Sequence, residues 1–211
     1  MKSKNILLCG FGSITAFVLW TFLVKIIDVK AIGPDCSKVG FASLNGFFHD
    51  LTGVNFHLYI LTDWLGLIPI SFMFGFAVFG FIQFLKRKSL LKVDTDILIL
   101  GGFYIVMTMF YLFFENFIIN YRPVLIEGIL EASYPSSTTL MVMCVMPTAA
   151  IQLNRRIKNM KFRKTAVYLI NIFTVFMVLA RLVSGVHWIT DIIGGIFLSM
   201  GLVLIFSAIT E

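Results

Sequence analysis

The segment Arg181-Leu182-Val183-Ser184-Gly185-Val186-His187-Trp188-Ile189-Thr190-Asp191 carries an arginine, a histidine and an aspartate between two strongly apolar runs. Polar groups at the edge of hydrocarbon carry a free-energy cost, so they are more often functional than incidental. His187 and Asp191 are four residues apart. On a helix that spacing stacks them on one face, so that the carboxylate holds one imidazole nitrogen and leaves the other free. This is the arrangement of an oriented nucleophile or base. An isolated His187 would read as an interfacial histidine that is merely hydrogen-bonded; Arg181 and Asp191 in fixed register favour a functional role.

Two further segments supply complementary chemistry. The first is Glu115-Asn116-Phe117-Ile118-Ile119-Asn120-Tyr121-Arg122-Pro123 and the second is Tyr134-Pro135-Ser136-Ser137-Thr138-Thr139. Proline is favoured at the first position of a helix. A helix starting near Pro135 would aim the free backbone N–H groups of Ser136, Ser137 and Thr138 outward together with their hydroxyls. Such an end binds an oxyanion, and Arg122 and Arg181 add planar forks that match phosphate. The three segments together predict a phosphate site.

The elements that must position these groups are membrane spans. Of 211 residues, 59% are hydrophobic and only 13% charged, with 23 phenylalanines, which excludes an ordinary soluble domain. Apolar runs over 6–24, 64–85, 97–114, 139–153, 166–180 and 192–209 predict six helices in one domain spanning 1–211. Each is near the length that crosses about 30 Å of hydrocarbon. The fourth and fifth are short, and Pro147 interrupts the fourth, as is tolerated inside a packed bundle. The expected fold is all-α, a six-span transmembrane bundle. The long connection over 28–63 is unlike a bare loop. Within it Phe41, Leu44, Phe47, Phe48 and Leu51 recur at helical spacing, predicting a short interfacial helix in the first outer loop.

Charge placement orients the bundle, because cytoplasmic loops hold an excess of lysine and arginine. Lys2 and Lys4, then Lys86, Arg87, Lys88 and Lys92, then Arg155, Arg156, Lys158, Lys161, Arg163 and Lys164 all fall on one side. Both termini are therefore expected in the cytoplasm, and the three polar segments emerge together on the outer face. The formal charge of +6 reads as topology and contact with anionic membrane lipid, with no nucleic-acid partner. The basic start Met1-Lys2-Ser3-Lys4 precedes a run too long for a signal peptide and lacks a small-residue cleavage site, so it is read as a retained first span. Cys9, Cys36 and Cys144 offer neither a pair nor metal-ligand spacing. No metal or cofactor is expected. Trp64 and Trp188 read as interface anchors, and His49 and His57 as outer-loop surface residues.

Arg122-Pro123, Pro135-Ser136, and Arg181 followed by His187 and Asp191 at their spacing resemble the three signature blocks of the type 2 phosphatidic acid phosphatase superfamily, related to the vanadium haloperoxidases. The resemblance covers 115–191, and the third block is its most specific part. It implies that His187 attacks phosphorus to form a phosphohistidine and that Asp191 orients and charge-stabilises it. It also implies that Arg122, Arg181 and Ser136 hold the phosphate oxygens. A membrane phosphatase acting on a lipid phosphate, without metal, is the implied function.

Two positions depart from the family pattern. Glu115 stands where the first block carries lysine, and Thr138 stands where the second block carries histidine, the usual proton donor. An alkoxide leaving a phosphate monoester needs a proton, and general acid catalysis typically contributes about a hundredfold to ten-thousandfold. A departing phosphate asks for less, so the sequence predicts preference for a lipid (polyprenyl) pyrophosphate. Glu115 either pairs with Arg122, two helical turns away, or with Arg181, or serves as a substitute acid with a raised pKa. The alternative function is a catalytically impaired member that binds phosphorylated lipid without turnover. A transporter would be expected to show repeated halves or charges centred in its spans, and neither is present. A bacterial plasma membrane is the expected location.

Overall fold

The computed structural model describes residues 2–211; Met1 and the Lys2 side chain, part of the basic start considered above, lie outside it. Eight α-helices follow in order: α1 (Lys2–Ile26), α2 (Ala42–Thr52), α3 (Phe56–Leu65), α4 (Leu67–Arg87), α5 (Thr95–Asn116), α6 (Ser137–Arg156), α7 (Met160–Val183) and α8 (Ile189–Thr210). Among the described residues the extended backbone is limited to isolated bridges such as Lys30–Val39 and Tyr121–Ala132. The all-helical expectation therefore holds.

Five helical stretches are long and apolar enough to cross a membrane: Ser3–Ile26, Phe56–Arg87, Thr95–Asn116, Met160–Val183 and Ile189–Thr210. The second begins well before the predicted 64–85, because α3 and α4 abut at Gly66 to give a 32-residue run. Asn55 starts it: its side chain caps the helix by accepting from the Leu58 N–H at 2.9 Å. The predicted fourth span corresponds to α6, which is outside that set of five. Its 20 residues include Thr138, Thr139, Thr148 and Gln152, all buried. A helix surrounded by other helices has no need of a lipid-like surface, and α6 packs against α4, α5, α7 and α8.

The α1–α8 contact is the most extensive in the molecule. It depends on close backbone approach: a Cβ added at Gly10 would meet Ile205, and one at Gly201 would meet Ile14. At the end of the bundle where α4 meets α5, Arg87 reaches Asp94 at 2.8 Å and Arg156 reaches Asp96 at 2.9 Å, tying α4, α5 and α6 together. Part of the basic charge predicted for that side is thus paired.

At the opposite end of the bundle the first connection folds onto the α7–α8 turn and the start of α8. Asn45 on α2 donates to Thr190 Oγ1 at 3.0 Å and accepts from the Thr190 N–H at 3.3 Å. Trp20 Nε1 donates to the Thr190 carbonyl at 3.0 Å, and the Asn55 N–H to the Ser184 carbonyl at 2.9 Å. Gly185 adopts φ +69, and a Cβ there would run into the Gly53 carbonyl, so this turn requires glycine on two grounds. Trp188, expected as an interface anchor, is instead 3% exposed, and its Nε1 donates to the Tyr121 carbonyl at 2.8 Å. Burial against His49 and the 121 segment supplies the partner that water would otherwise provide. Trp64 remains 69% exposed.

Candidate active site

His187 lies in the turn before α8, not on a helix, which corrects the expectation that the spacing of His187 and Asp191 stacks them on one helical face. Asp191 occupies the first turn of α8 and reaches back to accept from the Trp188 N–H at 3.0 Å. The same oxygen, Oδ2, lies 2.6 Å from the Ser133 hydroxyl, and Oδ1 accepts from Asn120 Nδ2 at 3.3 Å. Ser133 Oγ is in turn 3.0 Å from His187 Nδ1. The carboxylate and the ring are therefore connected through a serine. His187 Nε2 faces Arg122 Nη1 at 3.2 Å.

Arg122 sits in the segment that leaves α5, whereas Glu115 lies in the last turn of that helix. Because α5 ends at Asn116, the shared helical face expected for Glu115 and Arg122 does not form. Nor does the ion pair: Arg122 Nε is 3.0 Å from Glu131 and Arg181 Nη2 is 3.6 Å from Asp63. Glu115 instead lines a cavity of about 10 Å³ together with Tyr111, Ser133, Ser137, Leu140 and His187.

Arg181, in the last turn of α7, is 2% exposed. Its Nη1 donates to Thr62 Oγ1 at 3.0 Å, and its guanidinium stacks 4.7 Å from the centroid of the Tyr59 ring. Arg122 approaches the same ring at 5.9 Å, so Tyr59 on α3 brings the two cations together. The Nε–H of each arginine is buried without an aligned hydrogen-bond acceptor. Buried donors of this kind normally find a partner. Arg122 Nε already faces the Glu131 carboxylate, so Arg181 Nε is the donor left open, and with the Arg122 Nη1 that meets His187 it offers charge for an anion.

The second segment differs in detail from its prediction. Pro135 precedes the helix in a cis peptide with Tyr134, and Ser136 is the N-cap, its hydroxyl accepting from the Thr139 N–H at 3.5 Å. The Ser136 N–H is not free: it donates to the Asp191 carbonyl at 3.1 Å, because α8 starts beside α6. Ser137 and Thr138 open the helix, and Ser137 alone of the three lines the His187 cavity. Thr138 lines a different space, an apolar groove of about 630 Å³ between α4, α5 and α6. That groove shares Tyr111, Ser137 and Leu140 with the His187 cavity. A deeper groove of about 420 Å³ between α4 and α5 continues it past Met73, Ala77, Gly101 and Tyr104.

Burial, followed by the positive charges of Arg122 and Arg181, holds His187 well below its ordinary pKa of 6.5, with the Ser133 backbone acting in the opposite direction. The imidazole is neutral at neutral pH. A neutral ring with one nitrogen turned toward the buried Arg122 guanidinium, with Arg181 sharing the Tyr59 ring nearby, has the form of a nucleophile beside an oxyanion site.

Residues 100–211, which contain this entire constellation apart from Thr62, Tyr59 and Asp63, match the family model described as PAP2 superfamily. The chain belongs to the PAP2 superfamily. It is 35% identical over 75 residues to phosphatidylglycerophosphatase B of Bacillus subtilis (strain 168), an alignment covering 35% of this chain and 36% of that protein. The match thus spans about a third of the relative's length. The crystal structure of a transmembrane PAP2 type phosphatidylglycerolphosphate phosphatase from Bacillus subtilis superposes with a TM-score of 0.60 at 20% identity, covering 95% of this chain and 94% of that one. That similarity establishes the fold across nearly the whole length, and the five long apolar helices among the described residues make it an integral membrane protein.

Within this PAP2 fold the site draws on residues that the motif spacing did not single out. Ser133 immediately precedes Tyr134-Pro135, and Asn120 lies inside the Asn-Tyr-Arg-Pro run. Proximity to the motifs was their only signal. Tyr59, Thr62 and Asp63 gave none, since they reach Arg181 from more than a hundred residues away, as the Thr62–Arg181 separation of 119 shows.

Proposed function

We propose that this PAP2 protein is a membrane hydrolase of lipid phosphates, acting at the outer face through a phosphohistidine at His187 and preferring a lipid pyrophosphate. The observation that carries the reading is the neutral, fully enclosed His187 with Nε2 beside Arg122, and a second buried guanidinium, Arg181, on the shared Tyr59 ring. The Nε2 lone pair attacks phosphorus in line with the departing group, and Arg122 and Arg181 take up the growing charge on the phosphoryl oxygens. The Ser137 and Thr138 N–H groups at the start of α6 and the Ser136 cap add a positive helix end. Water then cleaves the P–N bond and frees His187. The reaction uses no metal in this reading.

Glu115 is the substitute acid. It shares the small cavity with His187 and Ser137 and carries no ion pair to either arginine. A pyrophosphate substrate needs this acid less than a monoester does. The apolar groove that runs from Ser137 toward the inner end of α4 and α5 suits a long lipid tail, and its continuity with the His187 cavity supports a lipid substrate.

In the same reading α6 is the sixth crossing, since 20 residues at 1.5 Å each span about 30 Å. One domain covers 1–211 with its phosphatase-like region over 115–191, both termini are cytoplasmic, and the plasma membrane of a bacterium is the location. α2 is the interfacial helix: Leu44, Phe47 and Leu51 are 38%, 63% and 70% exposed.

The test is phosphate release from vesicles carrying a prenyl diphosphate, phosphatidylglycerophosphate or phosphatidic acid. Prenyl diphosphate should turn over fastest, His187→Ala should abolish turnover, and Glu115→Gln should abolish monoester turnover while sparing binding. Faster release from either monoester would overturn the pyrophosphate preference. The second reading, phosphorylated-lipid binding without turnover, is favoured by one observation: Thr138 faces the groove and leaves His187 without a histidine donor opposite. Saturable binding of prenyl diphosphate with no release from any substrate would select it.

A further inference from the structure

The Ser133 hydroxyl lies 2.6 Å from Asp191 Oδ2 and 3.0 Å from His187 Nδ1, and no direct contact joins the carboxylate to the ring. A carboxylate only accepts, so the single hydroxyl proton is donated to Asp191 in a short, charge-assisted bond. Toward the ring the hydroxyl then has only lone pairs to offer, and Nδ1 must carry a proton. The far side of the ring gives an independent constraint. Arg122 Nη1, 3.2 Å from Nε2, has no acceptor capacity and can only donate, so Nε2 must be unprotonated. Both ends of the chain require the same neutral tautomer.

We propose that Ser133 is the positioning residue of this site, relaying the charge and orientation of Asp191 to His187 so that the Nε2 lone pair is held toward phosphorus. The serine is itself rigidly placed. It is 3% exposed, its N–H donates to the Asn120 carbonyl at 2.9 Å, and the Arg122 N–H donates to the Glu131 carbonyl at 3.1 Å, so the strand-like segment bearing Arg122 and the one bearing Ser133 are registered against each other. Tyr134, the next residue, is anchored by its hydroxyl to Thr21 at 2.6 Å and packs its ring against Gly194. Three donor–acceptor steps then run in one direction, from Arg122 through the ring and Ser133 to Asp191, with Asn120 and the Trp188 N–H also donating to the carboxylate.

The consequence for turnover rests on the hydrolase reading. As Nε2 forms its bond to phosphorus, the phosphorus–oxygen bond to the leaving group breaks and that oxygen keeps the electron pair. The ring becomes cationic while its proton stays on Nδ1, donated to Ser133 and balanced by Asp191. When water adds to phosphorus, its protons leave with the inorganic phosphate released, the P–N electrons return to Nε2, and the starting tautomer reappears without any proton having to cross the ring.

The tautomer can be read without turnover, by ring nitrogen NMR of histidine-labelled protein in nanodiscs, with His187 assigned by its loss in His187→Gln. Wild type should show a protonated Nδ1 and a bare Nε2, and Ser133→Ala a mixture of tautomers. On prenyl diphosphate Ser133→Ala should lose roughly 30-fold or more in kcat with KM within about twofold, since loss of imidazole orientation in a serine protease triad costs up to about 10⁴. Ser133→Thr, which keeps the hydroxyl, should recover most of the rate and the wild-type spectrum. A protonated Nε2 in wild type, or an unchanged spectrum in Ser133→Ala, would overturn the proposal. If wild type releases no phosphate from any lipid, the hydrolase reading fails while the spectrum still decides the role of Ser133.

Discussion

Replacing Asp191 by asparagine tests how the site uses a buried charge. Three donors converge on this carboxylate: Ser133 Oγ–H at 2.6 Å and Trp188 N–H at 3.0 Å on Oδ2, and Asn120 Nδ2 at 3.3 Å on Oδ1. An amide offers one oxygen and one NH2. Turned with its oxygen toward Ser133 it keeps the two shorter bonds, now without charge assistance, and sets its NH2 against the donor of Asn120. Two weakened bonds and one orphaned donor amount to roughly 3 kcal/mol of lost stability. Catalysis suffers separately. The imidazolium forming at His187 is roughly 5 Å from the carboxylate through the serine, which at an effective dielectric of about 20 is worth about 3 kcal/mol, or roughly two hundredfold in kcat. Because the Ser133 bond survives, the loss should stay below the about 10⁴ of a triad whose tautomer flips. Phosphate release in mixed micelles and thermal unfolding of the same preparation measure both quantities. A kcat within tenfold of wild type would show that Asp191 does not stabilise charge on His187.

Thr62→Val removes the shorter of the two acceptors of Arg181 Nη1 at nearly constant shape, leaving the Tyr59 carbonyl at 3.5 Å; KM for a lipid pyrophosphate should rise roughly tenfold with kcat little changed, as steady-state kinetics would show. Gly101→Leu should be accommodated, since a Cβ there meets nothing within 4 Å, yet its side chain fills the groove shared by α4 and α5. The expected result is at least about a tenfold fall in kcat/KM for a long-chain prenyl diphosphate, with a short-chain analogue unaffected. His187 should also leave a signature in acid. Its pKa is depressed on folding, so the unfolded chain takes up a proton as pH falls through 6.5 while the folded one does not. Stability present above 6.5 is therefore lost below it, by at most about 1.4 kcal/mol per pH unit, until the folded pKa is reached. Thermal midpoints of wild type should fall more steeply than those of His187→Gln below that pH.

What the sequence determined by itself was the family and its helical frame. Apolar runs of membrane-spanning length, and basic residues gathered on one side, are properties of single segments, and solvent preference reads them locally. Arg122, Ser136, Arg181, His187 and Asp191 could likewise be picked out by type and register, and all five lie in the enclosed site or in its supporting hydrogen bonds. Local rules failed where a partner comes from elsewhere in the chain. The four-residue spacing of His187 and Asp191 suggested a shared helical face, but the helix begins two residues after the histidine, because the turn at Gly185 must pass against Gly53. The spacing of Glu115 and Arg122 misled for the same reason, the helix ending between them. Only the tertiary structure decided that Ser133 stands between the carboxylate and the ring, that α3 holds Arg181 through Tyr59 and Thr62, and that Thr138 turns toward the groove. Hydrogen bonds and ion pairs act over about 3 to 4 Å and are indifferent to separation along the chain. Their partners are settled when helices distant in sequence pack together and bury the groups that must be satisfied.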